Sequence, residues 1–439
     1  MSISLIATYI LSFLFVLGVL IFIHELGHFL VARFFGIKVH VFSLGFGKRL
    51  IGFRYFDTDY RISLIPLGGY VKMAGENPED GLTGSPDEFL SRPKIERFWV
   101  AVAGPAMNLI LAVLLLAGTF MIGQEVLEYL IKPPIVGAVA PDSPALKSGI
   151  QSGDTIISIN GRSMPRWKDV EFRIAINPDR TLDIEFQRKD KKLSTSLITQ
   201  ETQDGRGTIG ISPFIPYVIS RVIPNSAAQK SGLKTGDEIV SVHKNGQRNI
   251  GFSAIAQTIK ASEGTPLLFE ILRNGELVFQ TISPEIIEGK PRLGAYIQYA
   301  TREEQLEPME AFQQSLKDNY EMTILTFATI GRLLTGTSSV KQLSGPIEIA
   351  KFSGRAATLG LVPLLSLMAV ISLQLGLLNL LPIPILDGGM ILLLTIEGIM
   401  GRDLSLRIKD QIFKIGFMLL VLLMGFVLVN DLAKNFAAF

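Results

Sequence analysis

The chain has no cysteine. That excludes disulfides and thiolate metal ligands, so any metal must be held by histidine or carboxylate; it is also compatible with an oxidising compartment. Histidine is scarce as well, with four in 439 residues. Charge is thin: charged residues make up 19% of the chain, against about 25% in an ordinary soluble protein. The net charge of +2 provides no basic excess of the kind that nucleic-acid binding needs, so no nucleic-acid partner is expected. What remains is 48% hydrophobic and gathered into blocks, the pattern of membrane spans beside extramembrane domains.

Ile3 to Ile23 carries no charge, and Phe29 to Ala32 continues apolar. At about 1.5 Å per residue, Ile3–Ala32 as a helix is roughly 45 Å long, more than a bilayer core. Too long for a signal-peptide apolar region, it is expected to be a retained membrane helix within residues 1–36. Further spans are expected over 98–123, 356–390 and 412–430, making four transmembrane helices. Met322–Gly331, apolar but too short to cross, is expected to belong to a surface helix within 301–355, and 391–411 to be a connector. Lysine and arginine are plentiful between Arg33 and Arg97, and Arg402, Arg407 and Lys409 precede the fourth span. The positive-inside rule puts both loops in the cytoplasm, and both termini and the long middle segment on the opposite side.

Inside the first apolar block stands His24-Glu25-Leu26-Gly27-His28. Positions i and i+4 share a helix face, so His24 and His28 can grip one Zn²⁺ together. Glu25 beside them is placed to take a proton from water. Ionisable groups inside a membrane are costly, which favours function over a satisfied histidine pair. Two histidines leave a catalytic zinc one ligand short. Asp387 follows a long charge-free run, in Asn379-Leu380-Leu381-Pro382-Ile383-Pro384-Ile385-Leu386-Asp387-Gly388. Its span and the first run in the same direction, so the two motifs match in depth. The prolines break the helix, which membranes tolerate only where the backbone is buried or lines a cavity.

The middle contains a repeat. Pro141-Asp142-Ser143-Pro144-Ala145, followed by Ser152-Gly153-Asp154, recurs as Pro224-Asn225-Ser226-Ala227-Ala228, followed by Thr235-Gly236-Asp237. The period of about 83 residues suits tandem small domains over 126–213 and 214–300 rather than a solenoid. Each copy has a short helix, a Gly-Asp turn and an alternating strand, a pattern that resembles PDZ domains, whose sheet edge takes extended peptides. Within 37–97, Tyr60–Ile65 alternates as a strand, with Gly45, Gly47, Gly68 and Gly69 as bends. A membrane-associated β-hairpin is expected there, with Ile62, Ser63 and Leu64 clamping an extended substrate chain by strand addition.

Together the His-Glu-Leu-Gly-His motif, the Asn379–Gly388 stretch, the tandem repeats, Gly104-Pro105-Ala106-Met107-Asn108 and Leu343-Ser344-Gly345-Pro346 resemble the site-2 protease family of intramembrane zinc metalloproteases. The resemblance covers essentially the whole chain and is closest to the bacterial branch that regulates sigma-E. It implies that His24, His28 and Asp387 are zinc ligands, that Glu25 is the catalytic base, and that Asn379 contacts substrate or stabilises the reaction's oxyanion; Asn108 is a weaker candidate for substrate contact, the alternative being an interhelical hydrogen bond. It also implies membrane-spanning protein substrates, namely trimmed anti-sigma factors and signal-peptide remnants, cleaved in a bacterial inner membrane near its cytoplasmic side. The fold class expected is a multi-pass α-helical membrane protein with four transmembrane helices, two inserted extracytoplasmic PDZ domains and a membrane-associated hairpin. The competing reading is a non-proteolytic PDZ scaffold with a structural zinc.

Overall fold

The structure is a computed structural model and describes residues 3–77, 82–202, 205–249, 251–336 and 345–436. It divides into two compact units, one built on Met1–Gly123, Gln305–Phe327 and Val340–Phe439, the other on Gln124–Glu304 and Ala328–Ser339.

The first unit is helical. Among the described residues, four helices are long and apolar enough to cross a membrane: Ser4–Phe34, Lys94–Ile122, Leu361–Asn379 and Arg407–Ala433. Small residues let three of them close up. A Cβ on Gly27 would sit within van der Waals overlap of the Ala103 backbone, and one on Gly376 would meet the Pro105 carbonyl at 3.0 Å. Helix Lys94–Ile122 is therefore backed by the first helix on one side and by Leu361–Asn379 on the other, as small residues permit in membranes. Val16, Leu20 and Met368 form a buried cluster.

Two expectations change. The block expected as one span over 356–390 is in fact a series: helix Pro346–Leu359, a break at Gly360, helix Leu361–Asn379, a turn, and helix Asp387–Met400. Gly360 adopts a φ of +123°, which the helix cannot continue through, and Pro382 and Pro384 make the second break. The residues expected as the connector 391–411 are thus largely helical. The segment Met322–Gly331, expected within a surface helix, lies in the second half of helix Pro308–Thr335, whose first half buries Ala311, Ser315 and Asn319. Ser315 Oγ donates to the Val113 carbonyl at 2.7 Å, and Ala311 packs with Leu116, Phe120 and Ala369. This contact face is made of small and polar side chains, so apolar-run reading passes over it. Of Leu343-Ser344-Gly345-Pro346, the first two lie outside the described residues. The Gly345 N–H donates to the Asp431 carboxylate at 3.1 Å, at the start of helix Pro346–Leu359.

Between the first two spans, strands Val39–Tyr55 and Thr58–Met73 pair antiparallel and fold back on themselves. Val41 lies opposite both Lys72 and Asp59, and Ile62 opposite both Leu44 and Ile51. Four strand segments thus lie side by side, with Gly69–Met73 at one rim. Gly45, Gly47 and Gly68 take the positive φ the bends need. Ile51, Phe53, Tyr55, Phe56 and Leu64 are exposed on the far part, an apolar surface suited to the membrane boundary.

In the second unit the two repeats carry separate cores, one around Ile156, Ile184 and Phe186 and one around Ile239, Val242 and Phe269. Their chemistry repeats too. Ser143 caps its helix through Leu146 N at 3.2 Å, and Ser226 caps its own through Gln229 N at 3.4 Å. The aspartate of each Gly-Asp turn is buried and held by an arginine, Asp154 by Arg188 at 2.7 Å and Asp237 by Arg273 at 2.7 Å.

Candidate metal centre and active site

The first helix puts His24 and His28 one turn apart on the face turned toward helix Lys94–Ile122. The turn after Asn379 brings Asp387, at the first position of its helix, to the same place. The three ligand atoms lie within 4.8 Å of one another. His24 Nε2 is 3.2 Å from His28 Nε2 and 3.1 Å from Asp387 Oδ2, and His28 Nε2 is 3.4 Å from Asp387 Oδ1. A tetrahedral metal bound at about 2.0–2.1 Å has ligand-to-ligand edges of about 3.3 Å, so these spacings fit one ion. The side chains are 11%, 12% and 22% exposed, open enough for one further position. Two imidazoles and a carboxylate are a donor set that zinc accepts.

The surroundings leave room for such an ion. A Cβ on Gly104 would fall on the His28 ring and 2.8 Å from His24 Nε2, filling the space between the ligands. The His28 ring is held by its other nitrogen, with Nδ1 2.7 Å from the Val100 carbonyl, which directs Nε2 to the metal position. Pro105 has no N–H to give the Ala101 carbonyl, and Ala101 lines the same cavity. That cavity measures about 280 Å³ and is also lined by Glu25, Gly69, Tyr70, Asn379 and Ile385. Ile385 adopts a φ of +88°, a strained conformation for a β-branched residue and typical of functional turns.

The candidate residues sort clearly. His24, Glu25, His28, Asn379 and Asp387 come together around one cavity. Asn379 Nδ2 is 3.4 Å from His24 Nε2, within reach of whatever fills the open position. Asn108, expected to contact substrate, instead stands behind His24, with Nδ2 3.4 Å from Nδ1. Ile62, Ser63 and Leu64 are not at the site. Ile62 is paired on both sides, and Ser63 is buried with its hydroxyl 2.9 Å from that of Ser43. The hairpin segment that borders the cavity is Gly69–Val71. There a Cβ on Gly69 would meet Glu25 Cγ at 2.9 Å. Gly104 stood out only as part of the Gly104–Asn108 stretch, and the Val100 carbonyl not at all, because a missing side chain and a backbone oxygen leave no chemical signal in a sequence.

Comparison with known proteins agrees with this geometry. The model of peptidase family M50 matches residues 12–423. Over 452 residues the chain is 36% identical to the regulator of sigma-E protease RseP of Escherichia coli K12, covering 96% of this chain and 98% of that one. It is 35% identical over 457 residues to protease RseP of Yersinia pestis, and 33% over 446 residues to the regulator of sigma E protease of Haemophilus influenzae, each covering 96% of this chain and 98% of the relative. A solved PDZ domain from Listeria monocytogenes is similar over 19% of this chain and 87% of its own, at 23% identity and a TM-score of 0.18, too low to bear on the fold. The chain belongs to peptidase family M50, the site-2 protease family, and is an intramembrane zinc metalloprotease.

Proposed function

We propose that His24, His28 and Asp387 hold one zinc ion, and that Glu25 is the general base for hydrolysis of a peptide bond in a membrane-spanning protein. The observation that carries this reading is the three-way spacing of 3.1–3.4 Å among ligand atoms with Glu25 in the same cavity. Zinc bound there would polarise the scissile carbonyl and lower the pKa of water toward about 7. Glu25 takes the proton from the attacking water and returns it to the leaving amine. Asn379 turns its amide N–H toward the carbonyl oxygen as charge develops on it. Asn108 acts through His24 as a positioning residue.

A substrate helix hides its peptide bonds in its own hydrogen bonds. The rim segment Gly69–Met73 pairs with Val39–Leu44 on one side, and no strand among the described residues pairs with it on the other. We assign the strand-addition role to this rim, where it runs beside Glu25, in place of the interior Tyr60–Ile65 segment. The charge count of the loops supports a cytoplasmic-side active site and an extracytoplasmic repeat pair. Placed there, the repeats would act as a size filter, admitting trimmed anti-sigma factors and signal-peptide remnants. A variant lacking most of Gly137–Ser283 should then cut an untrimmed substrate, and one that folds yet still refuses it contradicts the filter. For the chemistry, Glu25→Gln should lose cleavage of a tagged single-span substrate by at least about 10²-fold while keeping zinc. Near-normal turnover by that variant would favour a scaffold with a structural zinc.

A further inference from the structure

A second cavity, of about 600 Å³, adjoins the first and shares Glu76, Phe89 and Met390 with it. Its wall is mostly apolar, including Leu90, Leu393, Leu394 and Phe413. Several charged groups in and around it are spent on one another. The fully buried Glu397 takes Lys409 at 2.6 Å and the Leu404 N–H at 2.7 Å. Lys94 takes Asp403 at 2.8 Å, and Asp410 takes Lys414 at 2.7 Å. Glu76 accepts the Met73 N–H at 3.1 Å.

Two groups lining this cavity keep a buried atom without a hydrogen-bond partner, Glu397 at Oε2 and Arg97 at Nε. Of these Arg97 is only 5% exposed and has no ion pair: among the described residues no carboxylate lies within ion-pair distance of it. Asp403, committed to Lys94, feels it only at longer range. A buried guanidinium without a partner is among the costliest arrangements a protein can hold, and its planar fork matches the oxygens of a phosphate. Arg407, exposed, stands at the mouth of the same cavity. Arg97 lies in the first turn of a membrane-length helix, and Arg407 at the start of another. The two cations therefore sit at the water–bilayer boundary, above an apolar pocket.

We propose that this cavity binds an anionic phospholipid, with its phosphate on Arg97 and Arg407 and an acyl chain against Leu393, Leu394 and Phe413. The ligand chemistry is a phosphate with an apolar tail, so a headgroup fits and a free phosphate leaves the apolar wall unused. The test is native mass spectrometry of the full-length protein in detergent, mixed with phosphatidylglycerol and phosphatidylcholine of matched chains, with inorganic phosphate in a separate arm. Wild type should retain phosphatidylglycerol in preference to phosphatidylcholine. Arg97→Gln should weaken that retention by about tenfold or more, as loss of a charge-assisted hydrogen-bond pair does. Because a buried change can misfold the protein, Arg407→Gln at the rim is the second variant, expected to weaken retention by about threefold or more. Lys290→Gln, in the second repeat, should leave it unchanged. Equal retention of both lipids, retention unaffected by both arginine variants, or protection by inorganic phosphate with no lipid retained would each overturn the assignment. None of these readouts depends on proteolysis.

Discussion

Asn108 Nδ2 stands 3.4 Å from His24 Nδ1, while Asn108 Oδ1 is buried with no partner. Turned over, the same amide gives its oxygen to the Nδ1–H of His24 and fixes the tautomer that leaves Nε2 for the metal. The two histidines of the candidate site are then oriented alike, one by a side-chain amide and one by the Val100 carbonyl. Asn108→Ala should weaken zinc affinity by about 10–100-fold, read by competition with a chelator, and Asn108→Asp should restore most of it. Unchanged zinc affinity in Asn108→Ala would remove the residue from the site.

Gly104→Ala should lose zinc without losing the fold, because the added methyl falls among the ligand nitrogens. Gly118 lies on the same helix, and a Cβ there meets nothing within 4 Å. Gly118→Ala is therefore the matched control, neutral or stabilising by up to about 1 kcal/mol. Zinc content and thermal melting of the pair separate a local clash from general helix damage.

Much of this site was legible in the sequence. The i, i+4 spacing put His24 and His28 on one helical face, and Asp387 stood out as a carboxylate closing an apolar run. The hairpin was legible as a hairpin but not as a sheet. Alternation in Tyr60–Ile65 marks a strand, yet whether a strand is interior or at a rim depends on pairing with distant segments. Ile62 proved interior, and Gly69–Val71, broken by glycine and with little alternation, proved to be the rim beside Glu25. Arg97 was read as one charge among many in a basic loop. Only the packing around it shows that it is buried with no carboxylate within ion-pair distance among the described residues.

Substrate unwinding should limit the rate, since the rim at Gly69–Met73 can pair only with an extended chain. Gly or Pro placed near the cut should speed cleavage of a single-span substrate, and a leucine-rich span should slow it, because interior Gly costs a helix about 1 kcal/mol and Pro about 3 relative to Ala. The comparison is a matched substrate series in liposomes. Rates that ignore helicity would contradict strand addition.

Acid should destabilise the second repeat through Glu270. The Arg248 guanidinium, with Ser241 and His243, holds its carboxyl down at about 2. Its folded pKa lies below its unfolded value, so its contribution is full above about 4.5 and is lost as pH falls toward about 2. The side chain is 9% exposed, so that contribution is on the order of 2 kcal/mol. Glu270→Gln should lower the melting temperature at neutral pH and flatten its fall in acid. An unchanged acid slope would show that other groups carry it.

The most direct test of the zinc assignment is metal analysis of three purified proteins: wild type, Glu25→Gln and Asp387→Ala. Zinc should be near one per chain in the first two and reduced at least about tenfold in the third, because the proposed ligand set includes Asp387 and not Glu25. Full zinc in Asp387→Ala, or its loss in Glu25→Gln, would contradict the division of roles at this site.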